Sequence, residues 1–338
     1  MARETSNRCR TFRYRLHPTV RQTQALFRQL DFQRELYNAA LEECIGAWKW
    51  ERRSVSYVDQ CRTLTGLSDL RPEVTASGVT LCRGTLRRLD CAFAAFYRRV
   101  KSGGTPGFPR FKSARRFDSL QWEDTSGWKV KGEARRLYLM GIGDVKANYH
   151  QPLQGTPKAI TVKREGTKWW VSVRCVDVPA MPLAPTGREV GIDLGVTNLV
   201  ATSDGERIEG EHFGSRARVQ LVEAQRKLST KQRGSHRRRR QVEEIARLHR
   251  KVANQRKNAA HELSRQLVND YGVIVLEDLA IANMVRAPRA KPDPDAPGSF
   301  LPNGAKAKPG SIVPSTTRGG ELWRHCSPTR LKAPVGSW

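Results

Sequence analysis

Two short apolar runs, each closing on acid, constrain this chain more than any other feature. Residues 190–198 read V-G-I-D-L-G-V-T-N and set one carboxylate, Asp193, among apolar neighbours. About eighty residues later Val273-Ile274-Val275-Leu276 leads into Glu277 and Asp278. Apolar runs of this length bounded by turn formers predict strands buried on both faces of a sheet. A lone carboxylate buried there is costly unless a partner or a metal compensates it. Two acids at the ends of neighbouring strands are how a sheet presents oxygen ligands to divalent ions. The competing reading is that each acid caps a strand end or pairs with an arginine.

Charge indicates what such a site would act on. The formal net charge is +27 and the pI near 10.5, an excess that predicts a polyanionic partner. No apolar run approaches the roughly 18 residues of a membrane span, and the N-terminus lacks a signal-like apolar core. Nucleic acid is therefore the expected partner, with no membrane and no small-molecule substrate. The seven cysteines are odd in number, irregularly spaced and without a C-x-x-C pair. That pattern argues for reduced thiols and against a disulfide framework or a zinc ribbon.

In the N-terminal half, Thr11 to Leu16 alternates apolar and basic residues and predicts a strand with one basic face. Pro18 breaks it and Thr19 is the expected N-cap of a helix carrying Leu26, Leu30, Tyr37, Leu41, Ile45 and Trp48 at helical spacing. A second helix over 79–100 sets Leu81, Leu86, Leu89, Phe93 and Phe96 on one side, with a basic complement that includes Arg83, Arg87 and Arg88. Residues 101–117 are rich in Gly and Pro and interleave Phe108, Phe111 and Phe117 with Arg110, Lys112, Arg115 and Arg116. Rings can stack on bases while cations neutralise phosphates; equally, the phenylalanines can anchor the loop to the core. Strands are predicted over 120–122, 128–130, 136–140, 159–164 and 168–175, with Glu165-Gly166-Thr167 as a hairpin link. Together they predict a small antiparallel barrel that takes the helices as an insertion. The proline-rich stretch 178–185 marks a domain boundary.

After Asp193, residues 199–202 predict a second strand, 203–206 a tight turn, and Arg207-Ile208 a third strand. Residues 215–268 form a polar helical region that Gly234-Ser235 splits into a hairpin. From Arg216 to Lys257 it holds fifteen Lys/Arg against Glu223, Glu243 and Glu244. Arg237, Arg238, Arg239 and Arg240 alone would signify only a solvated face. The apolar spacing of Val242, Ile245, Leu248 and Val252 makes it an ordered helix with a basic face, suited to holding a phosphate backbone.

G-I-D-L-G-V-T-N-L-V-A-T, the basic hairpin, Arg256-x-Asn258-x-x-His261 and V-I-V-L-E-D-L-A-I-A-N-M resemble the RuvC-type nuclease half of the TnpB family, the OrfB proteins of bacterial insertion sequences. The N-terminal half agrees through Tyr14-Arg15-Leu16-His17-Pro18-Thr19, Leu36-Tyr37-Asn38 and Gly107-Phe108-Pro109-Arg110-Phe111-Lys112. The resemblance covers roughly residues 10–290. It implies a transposon-associated, RNA-guided DNA endonuclease of mixed α+β and α/β build. Residues 1–18 would supply the first strand of a wedge domain and 19–100 a helical recognition insertion. Residues 101–180 would complete an antiparallel wedge β-barrel, and 186–286 would form a ribonuclease H-like domain including the hairpin at 215–268. A guide RNA from the element's own end and a DNA target are the implied partners, in the cytoplasm of a bacterium at its nucleoid. Asp193 matches the first catalytic carboxylate and Glu277 the second, together holding two Mg²⁺ ions; Asp278 is given no metal role. A non-catalytic RNA-guided binder and a general basic DNA-binding protein are the alternatives.

The resemblance also implies a zinc ribbon and a third aspartate in a D-x-x-A-A-like segment after Glu277, and neither is in the sequence. Residues 287–338 read as an irregular tail. Codons can be chosen for residues 310–338 that, read two nucleotides on, encode L-N-R-S-I-H-D-A-G-W-G-A-V-A-A-L-L-T-Y-K-A-E-G-A-G-R-E-L, which resembles the family's next segment. The expectation is that the chain is out of frame after about residue 309, that the ribbon's zinc ligands are missing, and that cleavage is defective.

Overall fold

The computed structural model describes residues 8–179, 183–193, 198–209, 215–277, 291–294 and 299–301. Asp278 and the region expected to be out of frame lie outside the described residues. The chain divides into two compact units, Met1–Met181 and Pro182–Trp338.

In the first unit, β1 (Arg10–His17) runs into Pro18, which has no N–H to donate to a ladder. Thr19 then caps α1 (Val20–Glu51). Its hydroxyl accepts from the Gln22 N–H at 3.3 Å, and the Gln22 side chain accepts from the Thr19 N–H at 3.0 Å. This reciprocal pair satisfies two donors that the first turn would otherwise leave orphaned. The Gln22 amide also donates to the Asp144 carbonyl at 2.9 Å, tying the start of the helix to the sheet. Three helices follow: α2 (Tyr57–Leu70), α3 (Pro72–Ser77) and α4 (Val79–Lys101). Gly78, at φ 82°, makes the break between the last two, where a side chain would be strained.

The strands β2 (Ser119–Trp122), β3 (Trp128–Lys131), β4 (Arg136–Leu139), β5 (Gly143–Asn148), β6 (Thr156–Glu165) and β7 (Lys168–Val176) join β1 in an antiparallel sheet of order β2-β6-β7-β1-β5-β4-β3. The sheet is curled as a half-barrel. Its edge strands β2 and β3 do not pair with each other among the described residues, so the expected antiparallel barrel is present as a half-barrel. Alternation decides its faces. Phe12, Tyr14 and Leu16 of β1 and Val171 and Val173 of β7 are at most 1% exposed and meet Leu26, Leu30, Tyr37, Leu41 and Leu86 of the helices. Each such side chain contributes roughly 1.5–3 kcal/mol by leaving water. One polar pair sits inside this core. The Thr85 hydroxyl of α4 donates to Gln33 Oε1 of α1 at 2.6 Å, and the Gln33 amide donates to Cys82 Sγ at 3.5 Å.

The second unit has a four-stranded sheet of order β10-β9-β8-β11, built from β8 (Glu189–Asp193), β9 (Asn198–Thr202), β10 (Arg207–Glu209) and β11 (Val273–Leu276). β11 pairs parallel to β8, while β8–β9 and β9–β10 are antiparallel. Helices α5 (Ser215–Ser229) and α6 (His236–Asp270) lie between β10 and β11 in the chain. Leu263, Leu267 and Tyr271 pack on Val190, Ile192 and Val200. This corrects the expectation of strands buried on both faces, because Val273 and Val275 are 46% and 58% exposed. A continuous apolar run does not distinguish a one-sided strand from a two-sided one when its outward positions are also valine. Within the range read as an irregular tail, the described residues hold a two-residue pair, β12 (Lys291–Pro292) with β13 (Phe300–Leu301).

Candidate metal and nucleic-acid sites

Asp193 is the last residue of β8 and Glu277 follows the last residue of β11. The parallel ladder pairs Val273 with Glu189 and ends by pairing Leu276 with Ile192. One step on, Asp193 and Glu277 hold equivalent positions on adjacent strands, and equivalent positions of a parallel pair share a face. Ile192 and Leu276 face the core, so the acids take the opposite side. Both are exposed. The costly burial expected of them is therefore absent, and the acids need no partner to be tolerated. What the fold does instead is bring them together. They line one open cavity of about 430 Å³ with Gly191, Ala201, Thr202, Ser203 and Val275 among its walls. Its floor is fixed by the Gly191 N–H donating to Ser203 Oγ at 3.1 Å and the Ser203 N–H donating to the Gly191 carbonyl at 2.8 Å.

Two carboxylates on one solvent-open face are hard oxygen donors, the donor type that fits Mg²⁺. Among the described residues no group of three or more His, Cys, Asp or Glu side chains could hold a metal. The pair thus fits part of a metal site, with the other ligands to come from water, substrate or residues beyond those described.

The loop of the first unit divides its residues between anchoring and display. Phe117 is 3% exposed and lies in the core, with the Arg88 guanidinium 5.0 Å from its ring centre. Phe108 packs edge-on to Phe93 and Phe96 at 5.6 and 5.3 Å while 47% of it faces solvent. Phe111 is 54% exposed. Arg110, Arg115 and Arg116 are exposed, and Lys112 is half-buried with its ammonium 5.7 Å from the Tyr37 ring centre. Arg99 holds the loop by donating to the Gly107 carbonyl at 3.3 Å.

On the hairpin, Arg237, Arg239 and Arg240 are exposed on α6, whereas Arg256 is half-buried. Arg238 turns inward. It donates to the carbonyls of Leu228 and Lys231 at 2.7 and 3.0 Å, satisfying acceptors left by the end of α5. Of the four consecutive arginines, this one closes the hairpin.

Sequence reasoning missed Trp170. It lies on the outward face of β7 beneath the guanidiniums of Arg13 and Arg15, at 4.4 and 5.7 Å from its ring. The signal was there in the alternation of Lys168 to Cys175, which buries Trp169 and turns Trp170 outward.

Comparison with known proteins places the chain. A sequence model of the OrfB_IS605 family, described as "Probable transposase", matches residues 172–287, and a companion helix-turn-helix model matches residues 8–53. In this structure the latter span holds a strand and one 32-residue helix. A Streptomyces pristinaespiralis protein named "Putative RNA-guided DNA endonuclease" is 32% identical over 82% of this chain and 68% of its own length. The Escherichia coli protein of that description, InsQ, is 29% identical over 60% of this chain, which spans about half (49%) of it. A Mycobacterium tuberculosis relative is 26% identical over 81% of this chain and 67% of its length. A solved Cas12f1–sgRNA–target DNA complex aligns over 81% of both chains at 12% identity and a TM-score of 0.49. By these family matches and this identity across most of its length, the chain belongs to the TnpB family, the OrfB proteins of IS605-type insertion sequences.

Proposed function

We propose that the chain descends from, and is built as, an RNA-guided DNA endonuclease of a transposable element. The observation that carries this is the register that sets Asp193 and Glu277 side by side on one open face, in a chain related to proteins named for that activity. Asp193 and Glu277 would hold Mg²⁺ through their carboxylate oxygens. Divalent ions bound there supply the charge that activates a water and stabilises the leaving oxygen of a phosphodiester. The chain's own part is to fix the two acids, to leave their side of the sheet open to a wide substrate, and to hold the nucleic-acid backbone. Arg110, Arg115, Arg116, Arg237, Arg239 and Arg240 are exposed cations suited to phosphate. Phe111 offers a free ring for base stacking. The second unit is proposed to be ribonuclease H-like and the first to be the wedge and recognition part.

A second reading, guided binding without cleavage, is favoured by the sequence after Glu277. It contains no D-x-x-A-A segment and no C-x-x-C pair, while the shifted reading of residues 310–338 resembles the family's segment that follows the second carboxylate. We therefore propose that the chain as written cuts poorly. The coding DNA tests the frame directly, since absence of the alternative frame sinks that part of the proposal. The guided function is tested by purifying the chain with transcripts of the element's end. Bound DNA that changes when the guide is changed supports it; binding that follows salt alone, with no RNA retained, contradicts it.

A further inference from the structure

We propose that Arg188, Asp204 and Tyr271 form a register clamp that positions Asp193 and Glu277 on the same face of the sheet. The inference rests on the two-carboxylate reading above.

Arg188 and Tyr271 stand at the far ends of the two strands that carry the acids, and Asp204 bonds both from a neighbouring turn. Arg188 directly precedes β8, Tyr271 lies just before β11, and Asp204 sits in the turn between β9 and β10. The Tyr271 hydroxyl donates to Asp204 Oδ2 at 2.9 Å. Arg188 Nη2 donates to the same carboxylate oxygen at 3.2 Å and to the Tyr271 hydroxyl oxygen at 3.3 Å. The guanidinium also lies over the Tyr271 ring, 4.6 Å from its centre. Backbone closes the group, with the N–H groups of Gly272 and Val273 both donating to the Arg188 carbonyl at 2.8 and 3.2 Å. Tyr271 is 7% exposed, and its hydrogen bond to Asp204 raises its phenol above the ordinary range.

The strands themselves do not choose this register. β8 and β11 pair over four residues only, after a crossover that contains two further strands and two helices. Closing so long a connection has an entropic cost that a short ladder barely offsets. Hydrophobic pattern, the usual register signal, is weak here. β11 reads V-I-V-L, with Ile274 and Leu276 facing the core and Val273 and Val275 facing out. A slip by one residue exchanges one pair of aliphatic side chains for the other, at small cost to the core. It also turns every side chain of the strand over, which would carry Glu277 to the face opposite Asp193. The clamp is what a slip would break, because Tyr271 would leave Asp204 and Arg188. A polar group fixing register is an attested use of such networks.

The test reads geometry first and metal second. In full-length chain carrying Asp193→Cys and Glu277→Cys, in-register neighbours fall within disulfide reach. Oxidation should form the 193–277 link, identified by peptide mass mapping. Adding Tyr271→Phe or Asp204→Asn should slow that link tenfold or more, the loss expected of a hydrogen bond to a charged group. Val200→Ala, a core change in the same sheet, is the control for lost stability and should leave the link rate unchanged. No link in the starting variant, or equal slowing by Val200→Ala, overturns the clamp. Mn²⁺ titration of the chain with both acids intact separates the two ideas. Weaker Mn²⁺ binding in Tyr271→Phe than in Val200→Ala supports the clamp acting on the site. Formation of the link without any Mn²⁺ binding leaves the clamp standing and contradicts the metal reading.

Discussion

Asn38 of α1 clips the backbone of Lys112 from both sides. Its Nδ2 donates to the Lys112 carbonyl at 3.0 Å and its Oδ1 accepts from the Lys112 N–H at 2.8 Å. One side chain thereby replaces the two ladder bonds that a Gly- and Pro-rich loop cannot make for itself. Asn38→Ala should cost about 1–3 kcal/mol by leaving partly buried polar groups unmade. Faster proteolysis at residues 101–117 and weaker nucleic-acid binding should accompany it. Limited digestion with an electrophoretic shift assay checks both.

Phe111 and Phe117 sit six positions apart and should separate cleanly. Phe117→Ala empties a buried site and should cost about 3–5 kcal/mol, read by denaturant unfolding. Phe111→Ala, at 54% exposure, should leave stability within about 0.5 kcal/mol and weaken nucleic-acid binding.

Gly84 of α4 lies against the β2 backbone, where an added Cβ would overlap the Gln121 carbonyl oxygen. Backbone cannot yield as a side-chain tip can, so Gly84→Ala should destabilise by about 1–3 kcal/mol or more. Gly66 of α2 faces open space, with nothing within 4 Å of the point where a methyl group would stand. Gly66→Ala should therefore stabilise by roughly 0.4–1 kcal/mol. Opposite signs from one substitution, measured as midpoint shifts in urea, check the packing of helix on sheet.

Tyr149 packs edge-on to Tyr14 at 4.7 Å, and burial, with a smaller contribution from Tyr14, pushes its phenol up to about 12. The folded state therefore holds its proton where the unfolded chain, near 10, releases it. The stability this gives is complete below pH 10 and is lost as pH rises from about 10 to 12, by at most about 1.4 kcal/mol per pH unit. Tyr149→Phe should flatten that alkaline slope in unfolding curves. An unchanged slope would mean that the phenol is ordinarily solvated.

What the sequence made legible was local and periodic. Thr19 as a cap, the helices beginning at Val20 and Val79, the Gly166-Thr167 hairpin and the Gly234-Ser235 break all follow from capping, spacing and turn chemistry. Helix α2 escaped because it buries little beyond Gln60 and Leu64 and carries Gly66 at mid-length, so its period is faint. Strand β5 escaped because Gly143-Asp144 opens it and only Val145 and Ala147 face inward. The acid pair was legible as two run ends, but its exposure was not. Valine on the outer face of β11 hides the fact that one side of the sheet is open. Arg238 was indistinguishable from its neighbours in sequence, since its inward role depends on where the α5 carbonyls fall.

The most direct test of the central claim is guided plasmid cleavage in Mg²⁺, comparing the chain as written, the chain with its frame restored from the coding DNA, and the restored chain carrying Asp193→Ala. The first should cut weakly or not at all, the second should cut as programmed by its guide, and the third should lose that cutting. Cutting by the restored chain that persists in Asp193→Ala would contradict the assignment of Asp193 and Glu277 as the metal-holding pair.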